Sequence, residues 1–320
     1  MKYSVFSFTS IAALLMILLS GCSSTPSKNA PVSNTTSSTE LSKIDFRDNY
    51  QLVSSEYGTE TTVAIKGEYR VMDTNALPNH RTGKFPNNGN PNTISPQKIS
   101  YKIPIHPNFS GVPRWAREPG VAVNGVKFEP ETAERFVCET GEVYRIEAMQ
   151  DLVNLGLDFN HAHVQPTGAY HYHGVPTELV RLLDNGQDTI LVGFAHDGFP
   201  IYYSKSGRYK PSYRLADELR TGDVCNYRNP KQNISKELNN SRPDGTFVSD
   251  WEYVEGLGDL DECNGIEIDG RYAYFVTDEY PFMSRCLKGE FTETRPQGPP
   301  PGPGRPPHRH GDGPPHGHGD

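Results

Sequence analysis

Gly168-Ala169-Tyr170-His171-Tyr172-His173, preceded by Leu157-Asp158-Phe159-Asn160-His161-Ala162-His163, is the stretch on which the reading of this chain turns. In an extended strand, side chains at i and i+2 project from the same face, about 6–7 Å apart at Cα. His171 and His173 therefore share one face, and Tyr170 and Tyr172 share the other. His161 and His163 repeat the spacing just before the Gly-containing loop Val164–Ala169, and a hairpin closing there brings the two pairs together. Such a grouping offers neutral imidazoles to zinc or copper with one coordination position left open. His163, His171 and His173 are the expected primary ligands, with His161 as a fourth. The competing reading is a packed polar cluster of histidines and tyrosines.

A second stretch echoes the first. Leu260-Asp261-Glu262-Cys263-Asn264-Gly265 precedes Gly270-Arg271-Tyr272-Ala273-Tyr274-Phe275. Both copies have Leu-Asp, an Asn, a loop, a Gly and a Tyr-x-Tyr strand. Either the unit is duplicated, or two unrelated hairpins share turn chemistry. Four histidines mark the first copy and none the second, so the strands themselves do not need them.

Outward from these copies, short apolar alternations broken by Gly, Asn and Pro run from about 45 to 294. Strands are predicted at Thr62–Ile65, Gln97–Ile103, Val121–Val123, Val143–Ile146, Tyr170–His173, Ile190–Phe194, Tyr253–Glu255 and Tyr272–Val276. Helices are predicted only at Pro176–Asp184 and Tyr213–Arg220. The expected class is mainly β with a few short helices, a β-sheet or sandwich-like domain. Asp197, in Ala195-His196-Asp197-Gly198-Phe199-Pro200, reads as a turn-capping acceptor. It and Asp158 are also candidates to orient a ligand histidine from behind. His80 and His106 stand alone and read as ordinary loop histidines.

The ends differ from this middle. An apolar run from Val5 to Leu19 is short for a membrane span and reads as an export signal. It closes on Leu19-Ser20-Gly21-Cys22, which resembles the bacterial lipobox, in which the Cys is acylated and becomes the mature N-terminus. Ser23 resembles the outer-membrane sorting signal. Residues 23–43 are Ser-, Thr-, Asn- and Pro-rich with little to bury and read as a tether. From 295 to 320 the chain is almost wholly Pro, Gly, His, Arg and Asp, and is expected to be extended and unpacked. His308, His310, His316 and His318 make it either a solubilising tail or an auxiliary metal trap. The expected organisation is a signal at 1–22, a tether at 23–43, an N-terminal β extension at 44–94, the main domain at 95–294 and the tail at 295–320. With Cys22 assigned to lipid, Cys138, Cys225, Cys263 and Cys286 are disulfide candidates with three pairings open; Cys263 with Cys286 is preferred because the two bracket one compact segment. The formal charge of −8 argues against nucleic acid as a partner, because phosphate binding needs a basic footprint.

The Tyr170–His173 run, with His163 eight residues before His171, resembles the YHYH-domain family, named for that motif. Gly120-Val121-Ala122-Val123-Asn124-Gly125-Val126, the Asp197–Tyr202 segment, Leu260–Gly265 and Pro281–Gly289 also resemble it, so the likeness spans roughly 95–290. The chain departs from the family where Phe159-Asn160-His161-Ala162 replaces a Cys- and Gly-rich stretch, and where Ala273 replaces a frequent His. The resemblance implies an exported β domain and transfers no reaction.

Three functional expectations follow. The first is a membrane-tethered lipoprotein of the bacterial envelope, on the outer membrane, that binds zinc or copper through the paired His-x-His strands. The second is a metal-dependent enzyme, a hydrolase or copper oxidase, using the same histidines. The third is a non-catalytic envelope or adhesion module. No His-Glu-x-x-His, Gly-x-Ser-x-Gly or phosphate loop names a reaction.

Overall fold

The computed structural model describes residue 41 and residues 43–292. Cys22 and the tail histidines His308, His310, His316 and His318 lie outside the described residues, as do the signal segment and nearly all of the tether.

Alternating burial along the first strands builds a four-stranded antiparallel meander of β1 (Tyr50–Ser54), β2 (Thr59–Lys66), β3 (Tyr69–Thr74) and β4 (Ile99–Pro104). Its inward residues Leu52, Val63, Met72 and Ile103 are almost fully buried, while the residues between them on each strand are mostly exposed, the pattern of a sheet with one wet face. After β5 (Phe109–Trp115) come β6 (Gly120–Ala122), β7 (Lys127–Phe128), β8 (Glu131–Cys138), β9 (Val143–Glu147), β10 (Ala162–Val164) and β11 (Tyr170–Tyr172). Helix α1 (Thr177–Leu183) follows, then β12 (Thr189–Ala195), β13 (Pro200–Ser204), β14 (Tyr213–Leu215), β15 (Cys225–Arg228) and β16 (Asn233–Lys236). The chain closes through β17 (Trp251–Tyr253), β18 (Gly265–Ile268), β19 (Arg271–Val276) and β20 (Cys286–Gly289).

The central sheet has eight strands in the order β10-β11-β7-β6-β12-β13-β19-β18. That order is symmetric about its middle. Each half is two antiparallel hairpins, β6–β7 with β10–β11 and β12–β13 with β18–β19, joined edge to edge in parallel; the halves meet antiparallel at β6–β12. The repeat is therefore longer than the Tyr-x-Tyr hairpin. Its first hairpin is Gly120-Val121-Ala122-Val123-Asn124-Gly125-Val126 in one copy and Gly193-Phe194-Ala195-His196-Asp197-Gly198-Phe199 in the other. Gly125 and Gly198 both hold positive φ, and a Cβ at either would collide with the four-stranded sheet, at Thr74 and Pro104 respectively.

One face of the eight-stranded sheet packs on the meander, giving a sandwich. Tyr50, Leu52, Met72, Tyr101 and Ile103 share a core with Val121, Phe128, Tyr170, Tyr172, Phe194 and Tyr274, and α1 adds Leu179 and Leu183. On the other side stands a smaller sheet, β16-β15-β8-β9, with its own core of Phe136, Ile146, Leu155, Tyr227 and Phe247. Disulfides join Cys138 to Cys225 and Cys263 to Cys286, the second being the preferred pairing. Among the described residues no helix is long and apolar enough to cross a membrane.

The helix predicted at Pro176–Asp184 forms, with Glu178 in its first turn paired to Arg181 at 2.9 Å. The helix predicted at Tyr213–Arg220 does not. Tyr213–Leu215 instead pairs with Trp251–Tyr253, where Tyr213 meets Tyr253 and Tyr280 edge-on and donates to the Glu262 carbonyl. Packing of an aromatic ladder outweighs a weak helical preference.

Candidate metal centre

His171 and His173 sit on and just after β11, and His163 is the middle residue of β10. Antiparallel pairing sets His163 directly opposite His171. The Nε2 of His173 lies 3.0 Å from that of His171 and 3.1 Å from that of His163. All three ligand atoms fall within 4.8 Å of one another, and no carboxylate or thiolate of the described residues joins the group. Two nitrogens on one tetrahedral zinc would stand about 3.3 Å apart, given bonds of about 2.0–2.1 Å. The spacing seen is close to that.

Backbone acceptors select the tautomers. His163 donates Nδ1–H to the Leu155 carbonyl (2.9 Å) and His171 to that of Ala169 (3.2 Å), which leaves both Nε2 atoms as bare lone pairs. Nδ1 of His173 is buried with no hydrogen bond of ordinary geometry, although the Pro130 carbonyl acts on it. A proton on His173 Nε2 can serve only one neighbour and leaves the other lone pair facing its ring. Buried, uncompensated acceptors are costly, and a cation at their centre removes the conflict. Burial holds all three imidazoles below their ordinary pKa, His171 and His173 well below, with mutual repulsion adding to the effect on these two. They are therefore neutral donors.

The same sheet face carries a closed ionic network beside the triad. Lys127, aligned with His171 across the parallel β11–β7 pair, places Nζ 2.7 Å from Glu118, 2.6 Å from Glu129 and 3.0 Å from Gln165. Glu129 also accepts from Gln165 (2.7 Å) and Arg117 (3.1 Å). Lys127 and Glu129 are each about 4% exposed at the side chain. Neither was picked out from sequence, although two charges alternating within a buried strand are a readable sign.

Three of the candidate residues stand apart from the convergent group. His161 occupies a positive-φ turn position just before β10, and its Nδ1 bonds to the Val175 carbonyl at 2.8 Å. Asp158 accepts from Tyr170 Oη, Gly83 N and Asn160 N, each at 2.8 Å, and so braces the tyrosine face. Asp197 lies in the other copy, where its carboxylate accepts from Tyr274 Oη (2.6 Å), Gly289 N (2.9 Å) and Phe199 N. The turn-capping reading holds, and burial pushes this carboxyl up to about 6. His80 also differs from the loop histidine expected. It is 2% exposed and its Nε2 accepts from Tyr172 Oη at 2.7 Å, while Asn124 donates to the same oxygen. Nothing local signals a partner 92 residues away in sequence. His106 is exposed near Glu68.

The two copies correspond in several of their bonds. Tyr170 donates to Asp158 as Tyr272 does to Asp261. His161 and Asn264 share positive φ, and their carbonyls accept from His173 N and Phe275 N respectively. Ladder pairing equates His163 with Ile266 and His171 with Ala273. No curated protein and no solved structure matches the chain. The family described as YHYH protein matches residues 100–289, which takes in the triad and both copies of the repeat, and the chain belongs to that family.

Proposed function

We propose that this chain is a lipid-anchored protein of the bacterial envelope whose YHYH domain binds one transition-metal ion, zinc or copper, through His163, His171 and His173. The observation that carries the reading is the convergence of three neutral Nε2 atoms from one partly buried and two buried imidazoles, two with tautomers set by backbone carbonyls. Acylation at Cys22 supplies the anchor, and the tail histidines form an auxiliary, weaker reservoir, since a Pro- and Gly-rich composition with little to bury gives them no preformed scaffold. The test is elemental analysis of protein lacking 296–320, purified without a metal-affinity step. About one zinc or copper per chain is expected, falling to none in His171→Ala/His173→Ala. Unchanged metal content in that variant would sink the reading. Labelling with a radioactive fatty acid, lost in Cys22→Ala, tests the anchor.

A second reading is favoured by the ligand count alone: three protein ligands are the number found in catalytic zinc sites. A metal-dependent hydrolase predicts turnover of an ester or phosphoester substrate that disappears with the triad. Thermal stability indifferent to chelators and to added metal would leave the envelope or adhesion module, because a ion bound only by the folded state must stabilise it.

A further inference from the structure

His163 is the least buried member of the triad, and its aim is set from another part of the fold. The Leu155 carbonyl takes its Nδ1–H at 2.9 Å, and Leu155 does not belong to the sheet that carries the histidines. Its side chain is buried in the core of the smaller sheet, among Phe136, Cys138, Ile146, Cys225 and Phe247. That sheet therefore places the acceptor that turns the imidazole toward its partners.

Both chain neighbours of Leu155 are gripped by side chains from a distance. Asn87 donates to the Gly156 carbonyl at 3.0 Å. Gln232, in the turn between β15 and β16, holds Asn154 at two points: its Oε1 accepts from Asn154 N at 3.1 Å, and its Nε2 donates to the Asn154 carbonyl at 2.7 Å. Two bonds from one amide to one residue fix its rotation as well as its distance. Gln232 is itself seated, since its backbone N donates to Asn229 Oδ1 at 2.7 Å and its carbonyl accepts from Asn229 N. The hairpin that carries it is laddered to β8 at Cys225 with Cys138 and at Asn226 with Val137, and the first of these pairs is the disulfide.

We infer that Gln232 is a positioning residue for the metal centre: through Asn154 it fixes the Leu155 carbonyl that aims His163, and the Cys138–Cys225 disulfide anchors it. The inference rests on the metal-binding reading above and adds the residue and the covalent link that hold one ligand in place. Loss of a group bonded to the far nitrogen of a ligand histidine lowers metal affinity by about 10–100-fold. Gln232 acts one residue further back, so the lower end of that range applies.

The experiment measures zinc affinity of the full chain by competition with a chromophoric chelator, with His171→Ala/His173→Ala as the blank for zinc held elsewhere. Gln232→Met keeps the length of the side chain and removes both hydrogen bonds. Zinc affinity should fall about tenfold, and the visible spectrum of the Co(II)-loaded triad should change, a signature of ligand geometry that a general loss of stability does not alter. Unchanged zinc affinity in Gln232→Met, whatever the Tm of the metal-free protein, overturns the inference and leaves metal binding standing; so does weaker binding with an unchanged cobalt spectrum. Cys138→Ser/Cys225→Ser should weaken zinc binding in the same direction, and Cys263→Ser/Cys286→Ser should not. Equal weakening by the two pairs would overturn the anchoring role of the first. Should the first pair prove necessary for folding, Gln232→Met alone decides. Wild type matching the blank fails the metal reading itself and the inference with it.

Discussion

The two halves of the central sheet share one frame and have opposite chemistry. On the face away from the meander, the first copy presents His163, Gln165, His171, His173, Lys127 and Glu129. At the matching ladder positions the second presents Ile266, Ile268, Ala273, Phe275, Pro200 and Tyr202. There Leu260, Ala273 and Phe275 form an apolar cluster, flanked by Tyr202, Tyr209, Ile266 and Ile268. On the opposite face the pattern stays alike: Tyr170 and Tyr172 answer to Tyr272 and Tyr274, each anchored by a hydrogen bond from its hydroxyl, to His80 for Tyr172 and to an aspartate for the other three. The comparison separates the fold from the function. The tyrosine face holds the sandwich together in both halves, and the other face is free to be either a hydrophobic patch or a donor set. The histidines therefore do not serve as structural filler that the strands require.

Several experiments can break or sharpen that contrast. The largest effect is expected for His171→Ala/His173→Ala, which should abolish bound metal, while the counterpart change Phe275→Leu leaves metal content at the wild-type level; mass spectrometry of the native protein reads both. Phe275→Ala opens a cavity in the second copy and should lower unfolding free energy by about 3–5 kcal/mol in denaturant titration, again without loss of metal. A stable Phe275→Ala protein would mean that the apolar cluster is not a core. Tyr170→Phe and Tyr272→Phe each delete one buried hydroxyl bonded to an aspartate and should each cost about 1–3 kcal/mol. If the copies are equivalent on this face, the two values agree to within about 0.5 kcal/mol.

A smaller effect of opposite sign is expected when the first copy is made to resemble the second. In His163→Ile/His171→Ala/His173→Phe, apolar groups replace three mutually unsatisfied imidazoles. The metal-free variant should be as stable as the metal-free wild type, or up to about 2 kcal/mol more stable. A clear loss would show that the triad contributes to folding without metal.

The smallest effect concerns Asp197, which stands where the first copy has Asn124. Its carboxyl is raised from 3.8 to about 6 by burial. The folded chain thus binds the proton more tightly than the unfolded chain. That stabilisation is full below about pH 4 and is lost as pH rises to about 6. Asp197→Asn should flatten the fall in Tm between pH 4 and pH 6. At pH 7 relief of the buried charge offsets the lost acceptor for Gly289, leaving a net change within about 1 kcal/mol. An unaltered slope would assign that titration to another group.

Much of the centre was legible before the fold was known, because period-two geometry is local. Tyr170–His173 could only place two histidines on one face, and His163 needed only a hairpin to join them. The spacing names His163 a primary ligand, with His161 beside it as a fourth. What is not local is that positive φ at His161 and the start of β10 at Ala162 leave His163 alone in the pairing opposite His171. The matching Gly120–Val126 and Gly193–Phe199 hairpins were equally present in the chain but spoke only once the sheet order joined them.

The sequence by itself thus determined a mainly β class, the strand that carries the paired histidines, the four cysteines available for disulfides and the echo between two Tyr-x-Tyr units. Each rests on short-range periodicity or on cysteine chemistry. Only the tertiary structure decided that His161 stands outside the convergent group, that Asp158, Asp197 and His80 serve the tyrosine face, and that Lys127 and Glu129 neutralise one another beside the centre. Those outcomes depend on strand register and on partners far apart along the chain, such as His80 with Tyr172 and Tyr274 with Asp197. Pairing across a sheet is settled by the whole sandwich closing at once, and no local pattern encodes it.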